Sequence, residues 1–286
     1  KIQNSNGLLL SAGIIGGINL VGFCITATTK THKITDLFGT GSFVCSAAST
    51  AIVNGVQNHP LSRPALMSYA VTLWGIRLGT HLFERILRSP KDPRLDKFFP
   101  KKGEKWLDRT KSNFPLSMAG FWTIQAAWAW ICSIPVTLAN ANFGKFKHPN
   151  AFKLGYLGWF SVIAFSFGFL FESMADHQKK KFKLDPKNSG RWIDEGLWSL
   201  SRHPNYFGEI VVWWSLFLAS YPVLRNPKQI FLSMSSPLFV SFLLIFVSGI
   251  PLLEKKMDAT HGNKLAYREY KQRVPMLIPS FTRSVL

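Results

Sequence analysis

The sequence is poor in charged residues, and in acidic residues above all. Charged residues make up 17% of its 286 residues, where a soluble domain carries about 25%, and 15 acidic residues stand against 34 basic ones. Apolar residues (47%) and aromatic residues (14%) are too frequent for a solvated disordered segment. The composition therefore predicts a chain held in a large apolar phase. The net charge of +19 has to be interpreted from where the charges fall.

Cysteine is also scarce, and several common cofactor motifs are missing. Cys24, Cys45 and Cys132 lie in apolar stretches, with no Cys-x-x-Cys spacing and no histidine at metal-ligand spacing. The sequence has no Gly-x-Gly-x-x-Gly after a strand, no phosphate-loop motif and no strand-like alternation of useful length. We therefore predict no metal site and a helical fold.

Long stretches without charged residues predict that the chain crosses a membrane. Residues 2–29 and 229–253 contain no Lys, Arg, Asp or Glu, and a bilayer core needs about 20 apolar residues of helix. We predict an all-α integral membrane protein, a single polytopic domain over residues 1–286 with about seven transmembrane helices and an inner-side cofactor pocket. The predicted helices cover residues 7–28, 40–57, 64–88, 114–138, 154–177, 205–224 and 229–254.

The positions of the basic residues give this topology a direction. With the N-terminus outside, most Lys and Arg residues fall in the inner connections, as the positive-inside rule requires. Topology therefore explains the basic charge, and we predict membrane lipids rather than nucleic acid as partners.

Four polar residues share one face of the third predicted helix. Arg77, His81, Arg85 and Arg88 are spaced by three or four residues, as on one side of a 3.6-residue helix. A charge at membrane depth costs about 2.5 to 3.5 kcal/mol on the gentlest scale, so this face is expected to meet protein or water. Snorkelling towards the inner surface is the alternative for Arg85 and Arg88.

Polar residues from other helices are expected at the inner end of the bundle. They are Glu172, Asp176 and Lys180 on the fifth helix, Arg202, His203, Asn205, Tyr206 and Glu209 around the start of the sixth, and Glu254 at the end of the seventh. Pro204 suits the first position of a helix, whose free N–H groups would face an anion. In the tail, Tyr267 and Tyr270 would add aromatic stacking over a bound ring. The alternatives are a salt-bridge layer that only fixes packing, and a tail helix lying on the membrane surface.

Several motifs together resemble the steroid 5-alpha-reductase superfamily. GLWSLSRHPNYFGEIVVWW, followed further along by EYKQRVPMLIP, resembles its C-terminal region. The motifs TDLFGTGSF, LWGIRLGTHLFERIL, WTIQAAWAW and FGFLFESMADHQKKKFK are similar to the poorly characterised membrane-oxidoreductase branch of that superfamily. The resemblance spans residues 34 to 280.

The resemblance implies a membrane enzyme that binds NADPH and reduces a carbon–carbon double bond in a lipid or sterol-like substrate. The C-terminal cofactor-binding motifs fall within residues 178–286. The cofactor-binding residues expected there and just before it are Asp176, Lys180, Lys183, Trp198, Arg202, His203, Asn205, Tyr206, Glu209, Tyr267 and Tyr270.

The sequence also departs from the steroid reductases. Their acid on the second helix is absent from the predicted second helix, and Leu82 takes the place of the tyrosine that follows the histidine of the third. If reduction persists, a buried donor has to stabilise the developing enolate. The catalytic candidates are His81, Arg85, Gln125 and Glu172.

Two other functions share parts of this pattern. Membrane methyltransferases of the isoprenylcysteine carboxyl type share the RHPNY and Tyr-x-x-Tyr-x-x-x-Val-Pro signals, and would bind S-adenosylmethionine where NADPH is placed. An inactive, reductase-like accessory subunit of a larger organellar membrane complex would have other membrane-protein subunits as partners. The membrane is predicted to be the endoplasmic reticulum or an organellar membrane, mitochondrial or plastid.

Overall fold

A computed structural model describes residues 6–88, 93–101, 104–145 and 152–281. All regular structure in these ranges is helical, which confirms the predicted all-helical class. The described ranges contain nine helices longer than two turns: α1 (Asn6–Thr29), α2 (Thr35–Val53), α3 (Arg63–Arg88), α4 (Leu116–Asn142), α5 (Tyr156–Leu184), α6 (Pro204–Ser220), α7 (Pro227–Phe242), α8 (Ile250–His261) and α9 (Leu265–Arg273).

Five helical segments in the described ranges are long and apolar enough to cross a bilayer. They are Gly7–Thr29, Thr35–Val53, Leu116–Asn142, Tyr156–Leu184 and Pro227–His261. Large apolar side chains on these segments stay exposed, Leu20 and Phe231 among them, which suits contact with lipid rather than water. The chain is therefore an integral membrane protein. The other two predicted spans form α3, which carries several Arg residues, and the 17-residue α6; that these two cross the bilayer remains a prediction.

The second helix begins earlier than the sequence predicted, at Thr35 rather than at residue 40. The Thr35 hydroxyl donates a hydrogen bond to the His32 carbonyl at 2.6 Å, and Asp36 occupies the first turn. The expectation that this helix carries no acid was therefore wrong. Asp36 accepts a hydrogen bond from Arg85 of α3 at 3.0 Å.

The last predicted span, 229–254, is not one continuous α-helix. After α7 the backbone forms a π-helical segment over Leu243–Val247, and α8 begins at Ile250. Pro251 lacks an N–H and cannot continue a helix from the preceding turn, so the chain restarts there. Glu254 consequently lies in the second turn of a new helix rather than at the end of an old one.

The described chain divides into two compact units. The first comprises Lys1–Leu154 and Ser220–Ser236, and the second comprises Gly155–Ala219 and Pro237–Leu286. Most of the predicted cofactor-motif region, 178–286, falls in the second unit.

Helices α1 to α4 form the body of the first unit. Phe43 packs edge-on against Trp74 and Trp128, with ring centroids 5.3 and 4.9 Å apart. Asn140 donates hydrogen bonds to Thr50 Oγ1 at 2.9 Å and to Ser68 Oγ at 3.0 Å. Polar side chains inside this unit therefore satisfy one another across helices, as an apolar surrounding requires.

Two glycines set the approach of α5 to α6 in the second unit. A Cβ atom added at Gly168 would lie 2.8 Å from the Gly208 carbonyl oxygen, and one at Gly208 would lie 2.7 Å from the backbone nitrogen of Glu172. Only residues without a side chain fit such a backbone contact. This crossing places the C-terminal half of α5, with Asp176, beside the first turns of α6.

Candidate functional site

The start of α6 is joined to α5 by a polar contact. Pro204 opens the helix, and Asn205 Nδ2 donates a hydrogen bond to Asp176 Oδ1 at 3.2 Å. Within the described part of the chain, the buried Oδ1 atom of Asn205 has no hydrogen-bond partner. The first N–H groups of any α-helix also lack intrahelical partners. This end of α6 therefore presents both hydrogen-bond donors and an acceptor.

Glu254 is the centre of a charged cluster beside the same helix start. Its carboxylate accepts hydrogen bonds from Arg202 Nη1 and Lys271 Nζ, the latter at 3.0 Å, and its Oε1 lies 2.9 Å from His203 Nε2. Lys271 also contacts Asp258 at 2.7 Å. Two cations and an imidazole thus surround one carboxylate, which fixes the side chains just before α6.

The segment after α9 is bonded to the residues just before α6. The Arg202 N–H donates to the Pro275 carbonyl at 2.9 Å, the Ser201 hydroxyl donates to the Leu277 carbonyl at 2.8 Å, and the Ser280 N–H donates to the Leu200 carbonyl at 3.0 Å. We call residues 275–280 the C-terminal strap. It joins the RHPNY motif to the VPMLIP motif, so two sequence signals far apart in the chain form one structure.

An aromatic cluster adjoins the charged one. The ring of Trp192 lies 5.2 Å from that of Tyr267, 5.4 Å from His261 and 6.4 Å from Tyr270. Trp198 donates from Nε1 to the Ala175 carbonyl at 3.0 Å, and the Lys179 ammonium lies 4.3 Å from its ring centroid. The cluster offers flat apolar surfaces close to charge, which is what a heteroaromatic ring requires.

Burial and charge shift the pKa values of the side chains around this centre. Burial lowers the pKa of His203 below its usual value, and the hydrogen bond to Glu254 offsets only part of that effect. Burial and nearby carboxylates raise the pKa of Tyr267 to about 12, and burial also raises the pKa of Tyr270. Hydrogen bonds to Asp258 and Glu254 outweigh the opposing effect of burial and raise the pKa of Lys271. At neutral pH the centre therefore holds a neutral imidazole, neutral phenols and a charged lysine.

The structure brings many of the predicted cofactor residues together in the second unit. Hydrogen bonds and ring contacts join the segments that carry Asp176, Trp198, Arg202, His203, Asn205, Tyr206, Tyr267 and Tyr270. Lys180 and Lys183 lie on the last two turns of α5, and Glu209 lies in the second turn of α6. Whether these residues bind a cofactor remains a prediction.

The catalytic candidates are divided between the two units. Glu172 is buried on α5, where its backbone meets Gly208. In the first unit, Gln125 Nε2 donates to Asn19 Oδ1 at 3.0 Å and to the Thr35 carbonyl at 3.2 Å, and Arg85 pairs with Asp36. His81 is half-buried on α3. Gln125 and Arg85 thus make inter-helix contacts that account for their polarity, and their catalytic role remains a prediction.

Sequence reasoning missed three residues of this centre: Glu254 as its organiser, Lys271 as a partner, and Trp192 as part of the aromatic cluster. Glu254 follows a long apolar stretch, so it was interpreted as the end of a membrane helix. The available signal was the spacing of Glu254 and Asp258 by one helical turn, which places two acids on one helix face ahead of a basic tail that contains Lys271.

The fold and this centre define a helical membrane protein with a polar, aromatic-lined site at the start of one helix. The chain belongs to a family described as a protein of unknown function (DUF1295), whose profile matches residues 22–274. It is also 33% identical over 136 residues to methanethiol S-methyltransferase 1 of Bradyrhizobium diazoefficiens. That match covers 46% of this chain and 42% of the relative. No solved structure matches the chain.

Proposed function

We propose that the protein is a membrane-embedded methyltransferase that uses S-adenosylmethionine. The observation that carries this proposal is the bonding of the C-terminal strap to the residues before α6. The RHPNY and Tyr-x-x-Tyr-x-x-x-Val-Pro signals that resemble membrane methyltransferases thereby form a single site. The similarity to a named methyltransferase supports the same activity.

Polar atoms without hydrogen-bond partners in the described part of the second unit suit the binding of S-adenosylmethionine. Among the described residues, Asn205 Oδ1, Arg202 Nε and Trp192 Nε1 are buried without a hydrogen-bond partner. Asn205 would accept from a ribose hydroxyl or an ammonium group, and Arg202 would donate to a carboxylate. The rings of Trp192, Tyr267 and Tyr270 would stack on adenine.

The charge balance of the centre also suits S-adenosylmethionine, which carries both positive and negative charges. When bound, S-adenosylmethionine supplies a methyl group on a positively charged sulfur. Asp176 and Glu254 bring negative charge to the site, while Arg202 and Lys271 are partly neutralised by Glu254. The residues of this centre therefore do not present the unopposed positive field that several phosphates require.

A second candidate, the NADPH-dependent reductase, is favoured by one separate observation. Lys179, Lys180, Lys181 and Lys183 lie on the last turns of α5, the helix that carries Asp176. Such a cationic run suits the phosphates of NADPH, although anionic lipid is an equally suitable partner. In this case Asn205 and Glu209 would hold the cofactor, as the resemblance to the reductases implies.

Calorimetry on the protein purified in detergent tests the proposal. We expect S-adenosylmethionine and S-adenosylhomocysteine to bind, and NADPH not to bind. The substitution Asn205→Ala should weaken binding about tenfold, since one hydrogen bond contributes about 0.5 to 1.5 kcal/mol. Asn263→Ala, at an exposed position of the same unit, is the matched control.

Each alternative has its own outcome in this experiment. Binding of NADPH alone would replace the methyltransferase with the reductase. If the protein binds neither S-adenosylmethionine nor NADPH and co-purifies in a stoichiometric complex, the accessory subunit is favoured.

A further inference from the structure

His203 is held in one orientation by contacts on several sides. Its Nε2 atom lies 2.9 Å from Glu254 Oε1, and its ring stacks on Tyr206 with centroids 5.7 Å apart and planes 9° from parallel. Its backbone N–H donates to Ser201 Oγ at 3.1 Å. The imidazole is therefore fixed in both position and plane.

These contacts decide which ring nitrogen carries the hydrogen. A carboxylate that already accepts from Arg202 and Lys271 can only accept, so the neutral imidazole must donate to Glu254 from Nε2. The lone pair then lies on Nδ1. Among the described residues, this buried Nδ1 atom has no hydrogen-bond partner, and the His203 side chain is 4% exposed. A rigid, dry ring thus offers one free basic atom.

The surroundings of His203 keep its ring unprotonated near neutral pH. Glu254 favours the protonated ring, while Lys179 and Arg202 oppose it, and burial lowers the pKa of His203 below its usual value. The ring is consequently neutral at pH 7. This arrangement of carboxylate, imidazole and free nitrogen is the one that activates nucleophiles in many unrelated enzymes.

Several carboxylates of the second unit already accept hydrogen bonds. Asp176 accepts from Asn205, and Asp258 accepts from Tyr267 and Lys271. Glu254 is surrounded by three partners. In the described part of the second unit, His203 Nδ1 and His261 Nδ1 are buried imidazole nitrogens without a hydrogen-bond partner, and of these two rings His203 is the one held by a carboxylate.

We infer that the methyl acceptor is a thiol and that His203 Nδ1 removes its proton. This inference rests on the proposed methyltransferase function. The thiol sulfur forms a bond to the methyl carbon while the bond from that carbon to the donor sulfur breaks. The departing thioether keeps the electron pair, and the thiol proton goes to Nδ1.

The chemistry of the acceptor favours a thiol over other groups. An acceptor that is already a carboxylate has no proton to give, so it would not use a buried base. A hydroxyl group is far less acidic than a thiol, whose ordinary pKa of about 8.5 lies within reach of an imidazole. The name of the similar methyltransferase agrees with this class of acceptor.

The first experiment measures the tautomer in the unmodified protein. With ¹⁵N-labelled histidine, the signal that disappears in His203→Gln should show a protonated Nε2 and a bare Nδ1 at pH 7. A protonated Nδ1 would overturn the inference, whatever the protein is found to methylate.

The second experiment compares acceptors and follows rate against pH. With S-adenosylmethionine, 1-butanethiol should be methylated, whereas 1-butanol and butyrate should not. His203→Gln should lower kcat at pH 7 about 100-fold, the loss expected for a missing general base, and the rate should recover as the pH approaches the pKa of the thiol. His177→Gln, at an exposed position of the same unit, should behave like the unmodified protein.

Binding measurements separate this inference from the proposed function. S-adenosylhomocysteine should bind to His203→Gln within twofold of its affinity for the unmodified protein. Weakened binding with an equal loss of rate at every pH would make His203 a ligand of the methyl donor and reject its role as a base. Failure of the unmodified protein to bind S-adenosylmethionine would reject the proposed function itself.

Discussion

The phenolic hydroxyl of Tyr270 donates a hydrogen bond to the backbone carbonyl of Trp198 at 2.9 Å. Trp198 in turn donates from its indole nitrogen to the carbonyl of Ala175. A residue of α9, the turn before α6 and the C-terminal half of α5 are thereby connected through two hydrogen bonds. All three segments contribute to the candidate site.

We expect Tyr270→Phe to destabilise the protein without removing the ring. The substitution leaves the buried Trp198 carbonyl without its donor, which costs about 1 to 3 kcal/mol. Thermal unfolding in detergent should show a lower midpoint. Tyr156→Phe, at a position 98% exposed, should leave the midpoint unchanged, and equal midpoints for the two variants would contradict the prediction.

The contact between Gly168 and Gly208 predicts a strong effect of a single added methyl group. In Gly208→Ala the new Cβ would lie 2.7 Å from backbone atoms of α5, so the two helices have to separate. Overpacking of this kind costs about 1 to 3 kcal/mol. The measurement is the thermal midpoint, together with the binding affinity for S-adenosylmethionine, and both should fall.

Gly120→Ala is the control for this substitution. A Cβ at Gly120 meets nothing within 4 Å, and alanine favours a helix. A tolerated Gly208→Ala variant would show that α5 and α6 do not depend on this contact.

Glu254→Gln should loosen the residues before α6. An amide cannot serve as a charged acceptor for Arg202, His203 and Lys271 together, and leaving such partners unsatisfied costs about 1 to 3 kcal/mol or more. Proteolysis near residue 202 should become faster, and the thermal midpoint should fall. The exposed Glu269→Gln is the control, and identical digestion of both variants would remove Glu254 from its central role.

The lowered pKa of His203 predicts a loss of stability in mild acid. Below the usual histidine value of 6.5 the unfolded chain binds a proton that the folded ring resists, so unfolding becomes easier as the pH falls towards the folded pKa. Above 6.5 this contribution is fully present. The thermal midpoint should therefore drop between pH 7 and pH 5 in the unmodified protein, and drop less in His203→Gln. Parallel pH curves for the two proteins would exclude His203 as the titrating group.

The helices were predictable because lipid imposes a simple rule on sequence. Charge-free stretches located six of the seven predicted helices, and the apolar first half of residues 64–88 located α3. A helix satisfies its own backbone polar groups, which is what a segment in lipid requires. The boundaries were harder. The early start of α2 depends on Thr35 bonding to the carbonyl of His32, and the break before α8 depends on a π-helical turn, neither of which changes hydropathy.

The candidate site was predictable in part. Asp176, Arg202 and Asn205 stood out because polar residues next to apolar helices are costly unless they have partners. Glu254 was expected at the same end of the bundle, but an acid after an apolar stretch is typical of a membrane boundary, so its three partners were not predicted. Its partners Arg202 and Lys271 lie on different segments, and only folding brings them together.

These motifs alone do not distinguish a protein that binds NADPH from one that binds S-adenosylmethionine. The RHPNY segment resembles both reductases and methyltransferases, because a helix start with an amide, an imidazole and an arginine suits the adenosine part that both cofactors share. The sequence favoured NADPH because the motifs of the first half of the chain resemble the reductase branch. The similarity to a methyltransferase changes that preference.

The C-terminal strap has a consequence for biosynthesis. Ser201 bonds to the Leu277 carbonyl and Arg202 to the Pro275 carbonyl, so the residues before α6 lack these partners until the ribosome has made the C-terminal strap. A nascent chain stalled before residue 275 would thus contain α6 but not the acceptors of Ser201 and Arg202.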